Sequence, residues 1–144
     1  MAMSGALFMG ALTTSAHATP ASEGNLALLH AFLEAIRKAA FTDRNPAAIR
    51  KVAEQYLSPD YIQHLDGPPP GREGYITYMT EAGKTMPPGP LPFEDVYFMA
   101  DDNRVVWMSK GPKPDPMKPG QMTVGFGFNM MRIENGKFAE HWAG

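Results

Sequence analysis

From Asn25 to Ala40 the apolar residues Leu26, Leu29, Leu33, Ile36 and Ala40 recur at spacings of three and four, the repeat that gives a helix one buried face. The repeat restarts after Asn45, a residue suited to capping, and Pro46, suited to a first helical turn. Ile49, Val52, Ala53 and Tyr56 form its stripe, so a second helix is predicted to end near Leu57. Pro59 and Asp60 turn the chain into a short extended segment containing Tyr61, Ile62 and His64, after which "LDGPPPGREG" breaks regular structure. "REGYITYMTEAGK" predicts a third, short helix. Beyond Pro92 the period changes to two: "FEDVYFMA" and "RVVWMSK", joined by Asp101, Asp102 and Asn103, predict an antiparallel hairpin. The proline-rich "GPKPDPMKPG" is predicted to leave the ladder as a long loop. "QMTVGFGFNMMRI" then reads as a long strand, and Asn135-Gly136 as the hairpin turn into a last strand, "KFAEHW". Helices first and sheet afterwards argue for an α+β domain, three helices packed on one face of a strongly curved antiparallel sheet.

Alternation within the long strand separates two unlike faces. Phe126, Phe128 and Met130 share one, and Gly125, Gly127, Asn129 and Met131 the other. Interior glycines weaken a strand and ask for a reason. Two remain open: curvature of the sheet, or a cavity between sheet and helices into which Asn129 looks and where its amide must find partners. The phenylalanine face, left in water, would be a large apolar patch, and either a homodimer or the N-terminal segment would cover it. The same alternation applied to Lys137–Trp142 puts Phe138, Glu140 and Trp142 on one face and Ala139 and His141 on the other, so Glu140, His141 and Trp142 cannot converge as a triad. Trp142 is then expected in the core or a pocket wall, Glu140 beside Arg132, and His141 toward the dimer side.

The chain has 144 residues, enough for one domain with a proper core. A net charge of −2 lacks the basic excess that phosphate binding draws on, so no nucleic-acid partner is expected. With no cysteine there is no disulfide and no thiolate nucleophile. At the start, the apolar run Ala6–Leu12 and the A-x-A pattern at Ala16, His17 and Ala18 resemble the end of a secretory signal, although no Lys or Arg precedes the run. The division expected is a leader over 1–18 and a single domain over 19–144, exported to the periplasm or beyond, with no membrane association of the mature form.

Two stretches carry a family likeness. "YIQHLDGPPPGREGY" resembles the Tyr-x-Gln-His, loop, Gly-Arg-Glu-Gly signature of SnoaL-like polyketide cyclases, and "FNMMRIENGKFAEHW" is similar to their closing hairpin. The likeness covers roughly Asn25 to Trp142. It implies the cone-shaped α+β barrel of the nuclear transport factor two-like superfamily, with a mostly apolar pocket inside and no cofactor. Members with cyclase activity usually carry Asp where this chain has Asn129, and an amide has no proton to exchange near neutrality. A more distant resemblance, to ketosteroid isomerases, implies a hydrogen-bond donor to an oxyanion at Asn129 and a proton shuttle near His64. Phe32 stands at their phenol position, without a hydroxyl.

The catalytic candidates are therefore His64, whose ordinary pKa suits a base near neutrality, and Asn129. Asp66 is placed to orient His64 or to cap its loop. Phe32, Tyr61, Gly127, Met131 and Trp142 are expected around the substrate. Tyr75, Met79 and Trp107, with Tyr78, fit either pocket wall or core. His64, His141 and Asp66 have no recognised ligand spacing, so no metal is expected. The functional expectation is a protein for a small, apolar, oxygenated molecule, with enolate chemistry of the cyclase, isomerase or aldol-lyase kind; the alternative is a non-catalytic binding or dimerisation module of the same fold.

Overall fold

The computed structural model describes residues 19–65 and 67–144. The leader expected over 1–18, and Asp66, lie outside the described residues.

The first helix, α1 (Pro20–Arg37), starts earlier than its apolar stripe. Thr19 caps it reciprocally with Ser22: the Ser22 N–H donates to Thr19 Oγ1 at 3.1 Å and the Thr19 N–H to Ser22 Oγ at 2.9 Å. A π-helical turn, Lys38–Thr42, follows without a break. α2 (Pro46–Tyr56) begins as predicted, with Asn45 Oδ1 accepting from the Ala47 and Ala48 amides. α3 (Gly71–Thr85) crosses the π turn closely: a methyl group on Gly83 would lie 2.3 Å from the Ala40 carbonyl oxygen, which only a glycine permits.

Five strands form one sheet: β1 (Leu57–His64), β2 (Glu94–Ala100), β3 (Arg104–Pro114), β4 (Met122–Glu134) and β5 (Lys137–Ala143), in the order β1-β5-β4-β3-β2. The sheet is mixed rather than antiparallel throughout, because β1 enters from α2 and lies parallel to β5. Asn135 and Gly136 both take positive φ, 51° and 72°, as the Asn-Gly hairpin requires. The proline-rich segment departs from expectation. β3 stays paired to β4 through Pro112↔Val124 and Pro114↔Met122, and the connecting loop is short. This is possible because β2 pairs with β3 only as far as Glu94↔Lys110, so beyond Lys110 the prolines stand where β3 has no strand on its other side.

The core lies between the helices and the concave face. Leu29, Phe32, Leu33 and Ile36 of α1 meet Val105, Trp107, Met131 and Phe138 of the sheet, with Ile49 and Ala53 of α2 closing one end. Phe32 is the hub, its ring 5.1 Å from Phe138, 5.6 Å from Tyr56 and 6.1 Å from Tyr75. Among the described residues no helix is long and apolar enough to cross a membrane.

The last strand departs most from simple alternation. Ile133 pairs with Phe138 and Arg132 with Glu140, so Ala139 is one residue too many, a β-bulge. The extra residue reverses the parity of everything after it. Phe138 and His141 both face the helices, while Glu140 and Trp142 face outward, the opposite of the assignment from strict alternation.

Candidate ligand cavity

A cavity of about 250 Å³ lies between helices and sheet. α1 contributes Phe32, Leu33, Ile36 and Arg37, and α3 contributes Tyr75, Tyr78, Met79 and Ala82. The sheet supplies Trp107, Ser109, Asn129, Met131 and His141, and Phe41 reaches in from the π turn. A wider depression of about 620 Å³ runs from Leu91 to the far ends of β3 and β4. It is an open groove whose charged residues, Glu94 and Lys110, pair with each other. The cavity between helices and sheet is the one where polar groups converge in an apolar wall, as small-molecule sites require.

Seven of the residues singled out from the sequence as site or pocket-wall candidates line the cavity: Phe32, Tyr75, Tyr78, Met79, Trp107, Asn129 and Met131. Gly127 shares the face of Asn129, and a methyl group there would approach only the Gly144 carbonyl oxygen, at 3.8 Å, but it stands outside the lining. Tyr61 is core, packed edge-on to Tyr75 at 6.0 Å, and burial pushes its phenol pKa well up. Trp142 and His64 lie on the convex face, stacked on each other at 5.0 Å, so neither reaches the cavity. His64 Nε2 is 2.8 Å from Glu140 Oε1, whose other oxygen accepts from Arg132 Nε at 3.0 Å. The His64 and Arg132 hydrogen bonds hold the Glu140 carboxyl below its ordinary pKa. His64 and Asn129 are thus on opposite sides of the sheet, and the two do not form a joint site.

The imidazole that meets Asn129 is His141, which alternation had sent outward. It is 5% exposed, lies parallel to the Trp107 ring at 5.8 Å, and its Nε2 is 3.1 Å from Asn129 Oδ1. The carboxamide oxygen can only accept, so Nε2 carries the proton and Nδ1 is the bare nitrogen. Burial, together with the charge of His64, pushes the His141 pKa down to about 4, so the ring is neutral at pH 7. His141 Nδ1 has no protein partner, and among the described residues Gln63 Nε2 is the other buried side-chain atom in that position. Leaving such an atom unpaired costs about 1–3 kcal/mol.

A second polar group lies further along the sheet. Arg37 clamps Asp95 at 2.5 and 3.0 Å, Ser109 Oγ donates to Asp95 Oδ1 at 2.6 Å, and the guanidinium lies 5.3 Å above the Phe93 ring. Burial raises the Asp95 pKa, but the Arg37 and Ser109 hydrogen bonds outweigh it and hold the carboxyl below its ordinary value. Arg37 and Ser109 line the cavity, and the Arg37 charge is already matched by Asp95. Nothing in the spacing of the sequence joined Arg37 to Asp95; only the packing of α1 across β2 does.

No family model matches the chain, and no curated protein matches it in sequence. Solved structures do. A protein from Jannaschia sp. CCS1 described as a SnoaL-like polyketide cyclase superposes with a TM-score of 0.61 at 17% identity, over 90% of each chain. An NTF2-like protein from Anabaena variabilis gives 0.59 at 13% identity, over 88% of this chain and 92% of the other. TsrD from Streptomyces laurentii gives 0.56 at 20% identity, over 82% and 87%. The chain has the fold of the SnoaL-like polyketide cyclases and NTF2-like proteins.

Proposed function

We propose that this protein binds a small, apolar, oxygenated molecule in the cavity, with His141 rather than His64 as its polar anchor. One observation supports this above the others: a neutral imidazole, almost wholly buried in an apolar wall, has its Asn129-facing nitrogen fixed as the donor and its other nitrogen unpaired. A cavity of about 250 Å³ is just below the usual range of about 300–1,000 Å³ for small-molecule sites, which points to a ligand of roughly one or two rings.

Magnitude favours binding over catalysis. A general base works best with a pKa near the operating pH. A pKa of about 4 leaves His141 some three units short at pH 7, about 4 kcal/mol of lost driving force. Enolate chemistry is therefore the second reading, and it needs a substrate that raises this pKa on binding. Asn129 would then serve by holding the Nε2 proton, since an amide cannot exchange one. The test is a screen of small aromatic alcohols and ketones against the protein and against His141→Phe. Binding without turnover, weakened in the variant for the alcohols, supports the first reading, and no binding by either protein refutes it.

The convex face supports a homodimer. Phe126 and Phe128 are 54% and 57% exposed, with Tyr97 and Met99 beside them at 51% each. Such a patch is seldom left to water by a monomer. Sedimentation of a single monomeric species at micromolar concentration would refute the assembly.

A further inference from the structure

Among the described residues, Gln63 and His141 carry the two unpaired buried side-chain atoms, and they are cross-strand partners in the β1–β5 ladder. Direct partners in a sheet share a face, so both side chains stand on the concave side. Gln63 itself stands outside the cavity lining, between two residues that belong to it: Leu65, two positions on, and His141, its partner across the ladder. The two atoms are complementary. Tyr61 donates its hydroxyl proton to Gln63 Oε1 at 3.1 Å, which leaves the amide nitrogen as a free donor. Asn129 Oδ1 takes the His141 Nε2 proton, which leaves Nδ1 as a free acceptor.

We infer that Gln63 and His141 together form a recognition site for one hydroxyl oxygen of the ligand, the Gln63 amide donating to that oxygen and His141 Nδ1 accepting its proton. The inference rests on the cavity reading above and narrows it to a ligand class: alcohols, phenols or enols with an apolar body. A hydroxyl is the simplest group that accepts from an N–H and donates to a bare nitrogen at once. A ketone or ether oxygen satisfies Gln63 but offers His141 no proton, and a carboxylate presents only acceptors to a bare nitrogen. Such a site rejects the analogue that lacks the proton far more strongly than an apolar wall distinguishes shape.

The probes are β-naphthol, its methyl ether and naphthalene, with affinities measured by calorimetry at pH 7. The expected result is β-naphthol binding about tenfold or more tightly than the methyl ether, a preference worth one hydrogen bond. Gln63→Leu and His141→Phe should each bring that ratio close to one. Should Gln63→Leu fail to fold, nitrogen-15 shifts decide on the unaltered protein: the His141 Nδ1 and Gln63 side-chain amide resonances should move with β-naphthol and stay in place with the ether. Naphthalene and both derivatives binding equally, with those resonances unmoved, would overturn the hydroxyl site and leave the cavity reading intact. None of the three binding would overturn both.

Discussion

His64 and His141 lie on neighbouring strands, one register position apart, and differ in almost every physical respect. His64 stands on the convex face, 44% exposed in its side chain, stacked on Trp142 and hydrogen-bonded to a carboxylate. His141 stands on the concave face, buried, stacked on Trp107 and hydrogen-bonded to an amide. An apolar wall with a neutral amide acceptor excludes charge from the His141 ring. The lesson is that the face of the sheet, more than the residue type, decides which histidine can serve a ligand, and that taking up Ala139 as a bulge, outside the alternation, keeps His141 on the concave face.

The most disruptive way to break this contrast is to change the count again. One alanine inserted between Glu140 and His141 turns His141 outward and Trp142 inward, with more than about 4 kcal/mol of stability lost and no cooperative melt above room temperature expected. Deleting Ala139 removes the bulge but keeps the faces, so that variant should still melt cooperatively. Circular dichroism on both checks the pair.

The next effect is in the pH dependence. His141 has a folded pKa of about 4 against an unfolded value near 6.5, so between those values the unfolded chain binds the extra proton. Stability is then complete above about pH 6.5 and falls as the pH drops toward 4, by roughly 3 kcal/mol in all. Urea titrations of the protein and His141→Phe should show this slope in the first and its loss in the second. On the convex face, Phe128→Asp tests the proposed homodimer: it should leave the melting curve nearly unchanged while raising the dissociation constant read by sedimentation at least about tenfold. The smallest effect belongs to His64→Ala, which removes a surface pair and should shift the melting temperature by no more than a few degrees.

Much of the architecture was legible because the relevant signals are local. The stripes of α1 and α2, the Asn45-Pro46 start and the Asn135-Gly136 turn each act within a few residues, and the alternation of β4 separated Phe126 and Phe128 from Asn129 and Met131 correctly. The same rule failed on β5 because a bulge at an alanine leaves no mark: no glycine or proline punctuates it, and it exists only because Arg132 and Ile133 pair as they do. That error sent His141 outward and Trp142 toward the core or a pocket wall, whereas His64 was chosen from the isomerase resemblance, which carries no information about which face it takes. Arg37, Ser109 and Phe41 escaped for a different reason: two belong to a junction where α1 passes into a π turn, a change of period invisible to a stripe of threes and fours.

The prolines at 112 and 114 have a consequence for how copies of this chain can meet. Past Lys110 the rim of β3 would offer unpaired backbone groups to any passing extended peptide, and a ring nitrogen without hydrogen cannot donate to such a recruit. Growth of the sheet by accretion of foreign strands is thereby blunted at this rim.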